Sequence, residues 1–182
     1  MNDMTSDFAG ETLRFGFGQS PLGQVLVAQS QRGVAAILLG DDRAQLRRDL
    51  AEAFLGTWLQ EDAASLATTI ATVVALIAAP RGGLGLPLDL RGTELQRAVW
   101  AALCTIPPGE TRSYGSIAKT LPLPATAQEV GAACAANRLA VAIPCHRLVK
   151  ADGSISGYRW GVARKRRLIA LERAGYALLS PT

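Results

Sequence analysis

"GAACAANRLAVAIPCHRLV", residues 131–149, decides how the chain is read. Small residues from Gly131 to Ala136 end at Asn137. An apolar run, Ala140 to Ile143, ends at Pro144, and a thiol, an imidazole and a guanidinium follow in succession: Cys145, His146 and Arg147. His146 is the only histidine in 182 residues. A cysteine after an apolar run is more often inert core packing than a nucleophile, because reactivity requires a lowered thiol pKa. An adjacent imidazole can take the thiol proton if a third group, such as a carboxylate, fixes its tautomer. Glu172 in "RKRRLIALERAG", residues 164–175, is the candidate. Taken alone, it reads equally as a helix-surface acid among Arg164, Lys165, Arg166, Arg167 and Arg173.

Upstream of this segment the second half is helical. Residues 126–136 predict a helix that opens at Thr126 and closes at Asn137, a C-cap residue type. A short helix around Ser113 to Lys119 precedes it, separated by "LPLP", so the pair describes a helix-turn-helix. "TELQRAVWAALCTI", residues 93–106, predicts a helix capped by Thr93, with Leu95, Val99, Trp100, Leu103 and Ile106 on one face.

The first half reads differently. "TLRFGFGQS", "PLGQVLVAQSQRG" and "VAAILLG" break at Gly23 and Gly33 and predict a β-meander. "DDRAQLRRDLAEAFLG", residues 41–56, predicts a helix with an aspartate cap, and residues 63–79 predict another. "LATTIATVVALIAAP", residues 66–80, is too short and too rich in threonine to span a bilayer. The Pro/Gly-rich "PRGGLGLPLDLRG", residues 80–92, marks the expected boundary. The expected fold class is therefore α/β, with an N-terminal α/β domain over 1–90 and a mainly helical domain over 91–182.

Charge divides at the same place. Residues 1–92 hold 7 Arg/Lys and 10 Asp/Glu, a balance of −3; residues 93–182 hold 12 and 5, a balance of +7. A basic half suggests a polyanionic partner, nucleic acid first, or simply a solvated basic surface. Three cysteines without a Cys-x-x-Cys pair argue against a disulfide framework and fit a reducing compartment. With one histidine, a zinc site has no ligand set and no cofactor is expected. "MNDMTSDFAGE", residues 1–11, lacks a basic-then-apolar leader pattern, so a cytoplasmic location and no membrane partner are expected.

The segments "RGTELQRAVWAAL", "IPPGETRSYGSIA", "GAACAANRLAVAIPCHRLV" and "DGSISGYRWGVARKRRLIALE", together running from Gly92 toward Gly175, resemble the O6-alkylguanine-DNA alkyltransferases. The resemblance implies a ribonuclease H-like first domain and a winged-helix-like second domain. It implies a monomer that flips O6-alkylguanine, or O4-alkylthymine, out of double-stranded DNA and moves the alkyl group once, irreversibly, onto a cysteine. Cys145 matches the acceptor, His146 the base that activates it through a water, and Glu172 the carboxylate that orients the histidine. Asn137 matches the tie between recognition helix and active-site turn, and Tyr114 the phenol at the flipped base. Arg112, Ser113, Thr126, Ala127, Gln128 and Arg147 are the implied DNA contacts. Val149, Ser156, Gly157, Tyr158, Arg159 and Trp160 are the implied pocket. The pattern departs from the family at Gln128, where an arginine is usual, and at the neighbouring Glu129. That departure leaves an alternative: a non-enzymatic protein that binds alkylated DNA and flags it. The acceptor thiol at Cys145 speaks against it.

Overall fold

The computed structural model describes residues 10–177. The outer ends of the two expected domains and most of the acidic N-terminal stretch lie outside these residues. The structure is mixed α/β.

The meander forms as expected: β1 (Thr12–Ser20), β2 (Gly23–Gln29) and β3 (Val34–Gly40) pair antiparallel. One strand is not signalled by the sequence. β4 (Trp58–Glu61) pairs parallel to β1, giving the order β3-β2-β1-β4. The stretch 41–56 yields α1 (Arg43–Ala53), capped by the Asp42 carboxylate accepting Ala44 N–H. The second predicted helix is α2 (Ala67–Ala78), which starts later than expected.

The helices cover opposite faces of the sheet, because successive strand residues point opposite ways. Phe15 and Phe17 face α1, under the guanidinium groups of Arg47 and Arg43. Gly16 and Gly18 face α2, where a Cβ on either would come within 2.8 Å of an Ile70 methyl. The two glycines thus let α2 approach the backbone of β1. β3 is buried at every position except Gly40, which explains its uninterrupted apolar sequence.

In the second half, α3 (Glu94–Cys104) opens with a reciprocal capping box between Thr93 and Gln96. α4 (Tyr114–Ala118) is a single turn capped by Ser113, and α5 (Ala127–Ala136) opens with a second capping box between Thr126 and Glu129. Trp100 Nε1 donates to Ala133 O at 2.9 Å, fixing α3 to α5. β5 (Arg112–Ser113) pairs parallel with β6 (Leu148–Val149), and α6 (Val162–Ala177) closes the described chain.

The halves share one hydrophobic cluster. Within it the free edge of β3 meets the segment before the turn at residues 145–147: Ile37 N–H donates to Arg138 O at 2.8 Å, and Ala140 N–H donates to Ile37 O at 3.0 Å. The segment Ala140–Ile143 is buried but forms no strand. It turns sharply, with Val141 at φ +66°, a costly conformation for a β-branched residue. That turn delivers Cys145 to its position.

Candidate active site

Cys145, His146 and Arg147 form one 3₁₀ turn, and all three are buried. Asn137, at the end of α5, holds the turn from behind. Its Oδ1 accepts Leu139 N–H at 2.8 Å, and its Nδ2 donates to Ile143 O at 3.1 Å and to Cys145 Sγ at 3.2 Å. The last contact favours a thiolate. Burial dominates, however, and pushes the Cys145 thiol well above the ordinary range; a hydrogen bond with Cys134 adds to that, while Asn137 and the Lys165 ammonium oppose it. The thiol therefore needs a base.

His146, the next residue, is the candidate. Its Nε2 lies 2.6 Å from Glu172 Oε1. Burial holds the imidazole below its ordinary pKa, against the raising effect of Glu172. The ring is then neutral near pH 7, donating Nε2–H to the carboxylate and leaving Nδ1 as the acceptor. Nδ1 meets no protein partner among the described residues. Burial raises the Glu172 pKa, but hydrogen bonds from His146, Arg147 and Gly109 N–H outweigh it and keep the carboxylate ionised.

Arg147 departs from its expected place at the DNA. It is buried, with Nη2 donating to Glu172 Oε1 at 2.9 Å and Nη1 donating to Ile106 O at 2.6 Å. Its role is to balance the buried Glu172 charge, and a side chain so engaged cannot reach a phosphate.

A cavity of about 400 Å3 opens above the sulfur, lined by Tyr114, Gly131, Cys134, Ala135, Cys145, Gly157, Tyr158 and Arg159. Tyr114 OH and Ser156 Oγ lie 3.1 Å apart, and Lys165 Nζ donates to Tyr114 OH at 3.5 Å. Burial raises the Tyr114 pKa, against the Ser156 hydrogen bond, so the phenol is a neutral donor. Arg159 Nη1 donates to Ala135 O at 2.7 Å, drawing the 156–160 loop onto α5. Three expected pocket residues are outside this lining: Ser156, whose hydroxyl meets Tyr114 OH, and two others. Val149 is buried in β6 opposite Ser113, and Trp160 is buried with its ring 5.2 Å from that of Tyr158. Both support the cavity without lining it.

Thr126, Ala127 and Gln128 are exposed at the start of α5, and Arg112 is exposed beside α4, paired with Glu110 at 2.7 Å. The hydroxyls of Thr126 and Ser113 serve as helix caps. The Glu129 carboxylate accepts from Thr126 N and Oγ1 at 2.7 and 2.8 Å, so its charge is spent on the helix terminus. Sequence reasoning missed Cys134 and Lys165. Both sit in segments whose composition suggests only a slim helix and a basic surface, and no spacing signal points at the cavity.

The profile of the family described as "6-O-methylguanine DNA methyltransferase, DNA binding domain" matches residues 94–174. The chain is 46% identical over 165 residues to the bifunctional transcriptional activator/DNA repair enzyme Ada of Escherichia coli K12, covering 90% of this chain and 47% of that protein. It is 44% identical over 116 residues to a methylated-DNA–protein-cysteine methyltransferase of Mycobacterium leprae, covering 64% of this chain and 70% of that one. The chain spans about half the length of the first curated relatives. The solved Mycobacterium tuberculosis O6-methylguanine methyltransferase superposes with a TM-score of 0.72 at 32% identity, covering 89% of this chain and 93% of that one. Sequence identity and architecture extend across both halves, and the chain belongs to the O6-alkylguanine-DNA alkyltransferase family.

Proposed function

We propose that this protein repairs DNA by moving an alkyl group from O6 of guanine onto Cys145, once per molecule. The observation that carries the reading is a pair of contacts on adjacent residues, Asn137 to Cys145 Sγ and His146 to Glu172, with Cys145 lining a cavity. The thiol proton passes to His146 Nδ1, directly or through a water, and Glu172 stabilises the imidazolium that results. The thiolate attacks the alkyl carbon, forming an S–C bond as the C–O6 bond breaks. The electron pair stays with guanine, which takes a proton from Tyr114 OH. Lys165 beside Tyr114 favours the phenolate that remains.

A stacked base cannot reach a thiol at the bottom of a cavity, so the substrate base is flipped out of a duplex. The exposed first turn of α5, with Gln128, faces the DNA in this reading, and the positive balance of residues 93–182 draws the phosphates. We assign the DNA-binding and transfer functions to residues 91–182, with a winged-helix-like arrangement, and read residues 1–90 as a ribonuclease H-like platform. The protein acts as a monomer in a reducing, cytoplasmic setting. The test is intact-protein mass spectrometry after mixing with O6-methylguanine duplex DNA. One methyl mass on the peptide carrying Cys145 is expected; multiple turnover, or methylation at Cys104 or Cys134 instead, overturns the reading.

A further inference from the structure

Cys134 stands on the last full turn of α5, and Cys145 on the 3₁₀ turn that follows the apolar segment. Asn137, three residues beyond Cys134, donates to Cys145 Sγ at 3.2 Å, and both cysteines line the same cavity. The third thiol is placed differently. Cys104 is exposed on α3, with Sγ 4.0 Å from Ala142 O, and borders a separate pocket behind the active-site turn. The transfer chemistry uses one sulfur, so a second one in the same cavity is unexplained.

We propose that Cys134 is a resolving thiol: a peroxide entering the cavity oxidises Cys145, and the pair closes to a disulfide that a thiol reductant reopens. The bond itself requires only the two sulfurs; its consequence, a reversible block of alkyl transfer, rests on Cys145 being the acceptor. The step balances. The Cys145 thiolate attacks one peroxide oxygen, an S–O bond forms, the O–O bond breaks, and the departing hydroxide takes the thiol proton and leaves as water. The Cys134 sulfur then attacks the sulfenic sulfur, an S–S bond forms, the S–O bond breaks, and hydroxide leaves with the Cys134 proton as a second water. Two thiols lose two electrons and one hydrogen peroxide gains them.

Three features favour closure. Sulfenic acid formation needs a thiolate; burial raises the Cys145 thiol, and the Lys165 ammonium, which favours negative charge on both sulfurs, works against that rise. The cavity, at about 400 Å3, admits a small oxidant. Asn137, three residues beyond Cys134, already bonds the Cys145 sulfur, so a disulfide of about 2.05 Å needs a local adjustment of the turn or of α5. A sulfenic acid without a thiol neighbour proceeds to sulfinic acid, which thiols do not reverse. Cys134 thus protects a sulfur that the protein can use only once.

The experiment treats reduced full-length protein with hydrogen peroxide, blocks free thiols, and digests with trypsin without reduction. Cleavage after Arg97, Arg112, Lys119, Arg138 and Arg147 places Cys104, Cys134 and Cys145 in peptides 98–112, 120–138 and 139–147. Peptides 120–138 and 139–147 are expected to appear joined, two hydrogens lighter than their sum. Methyl acceptance from O6-methylguanine DNA is expected to be lost and then recovered with dithiothreitol. In Cys134→Ser the same peroxide dose is expected to leave a loss that dithiothreitol does not reverse, with sulfinic acid at Cys145. Inactivation of the wild type without the joined peptides overturns the proposal, as does a link to peptide 98–112 or equal recovery in the variant. Untreated protein that accepts no methyl group sinks the activity reading instead, and the joined peptides still decide the bond.

Discussion

Asn137 Nδ2 lies 3.2 Å from Cys145 Sγ, and the same side chain accepts the N–H of Leu139 at 2.8 Å. One buried amide therefore ends α5, closes the turn before the apolar segment and touches the Cys145 sulfur. Asn137→Ala removes these bonds and leaves buried backbone groups unpaired, at a cost of about 1–3 kcal/mol. Thermal unfolding is expected to show that loss, and single-turnover transfer is expected to slow as well. A variant as stable and as fast as the wild type would show that the amide only fills space.

Glu172 accepts from the neutral His146 ring at 2.6 Å and from the Arg147 guanidinium at 2.9 Å. Glu172→Gln keeps the shape and removes the charge, leaving the Arg147 guanidinium buried without its counter-ion. Breaking a buried pair from one side costs about 3–5 kcal/mol. Denaturant unfolding is expected to register most of that, and transfer is expected to fall further than in His146-intact variants of similar stability made elsewhere in the core.

Stability is expected to decline as pH falls from neutrality. The folded pKa of His146 is lowered from the ordinary 6.5, so the unfolded chain binds a proton first. Stability linked to this group is complete above about pH 6.5 and is lost as pH falls toward the lower folded value. Glu172, held below its ordinary 4.5, adds a loss in the same direction at lower pH. Melting temperatures measured from pH 7.5 to 4 should fall steadily. A midpoint that is flat or rises over pH 6.5 to 5 contradicts a buried neutral imidazole.

Gln128 on the exposed first turn of α5 is expected to limit repair of duplex DNA. A longer, planar and charged side chain fills the space left by a flipped base better than an amide and offsets the unstacking cost, about a few kcal/mol per base. Gln128→Arg should raise the single-turnover rate on duplex substrate and leave the rate on free O6-alkylguanine base unchanged. Glu129 is not expected to oppose this, since its carboxylate is committed to the Thr126 cap. Equal duplex rates for both proteins would mean that another side chain does this work.

What could be read from the sequence followed local chemistry. The caps at Asp42, Thr93 and Thr126, the glycine breaks at 23 and 33, and the succession Cys145, His146, Arg147 each depend on neighbours within a few positions. What escaped depends on distant chain. β4 is four residues with an exposed Trp58 and becomes a strand only because β1 offers it an edge. Arg147 carries the charge of a phosphate contact, and only the approach of α6 reveals that it neutralises Glu172. Cys134 is separated from Cys145 by a helix end and a buried turn, so no spacing rule announces that both line one cavity. Lys165 sits in a run of basic residues, where its inward direction is invisible until helix phase and tertiary packing are fixed.

The tie between Glu172 and the turn at Cys145–Arg147 also has a consequence for synthesis. A ribosome adds residues in order, so a nascent chain that has already exposed its thiol still lacks the carboxylate that orients the base. Arg164, on the same late helix, reaches back to Leu22 O and Asp41 in the earliest part of the described fold. The Cys145 turn therefore lacks its carboxylate partner until α6 docks, and in the proposed reading an unfinished chain keeps its nucleophile in reserve.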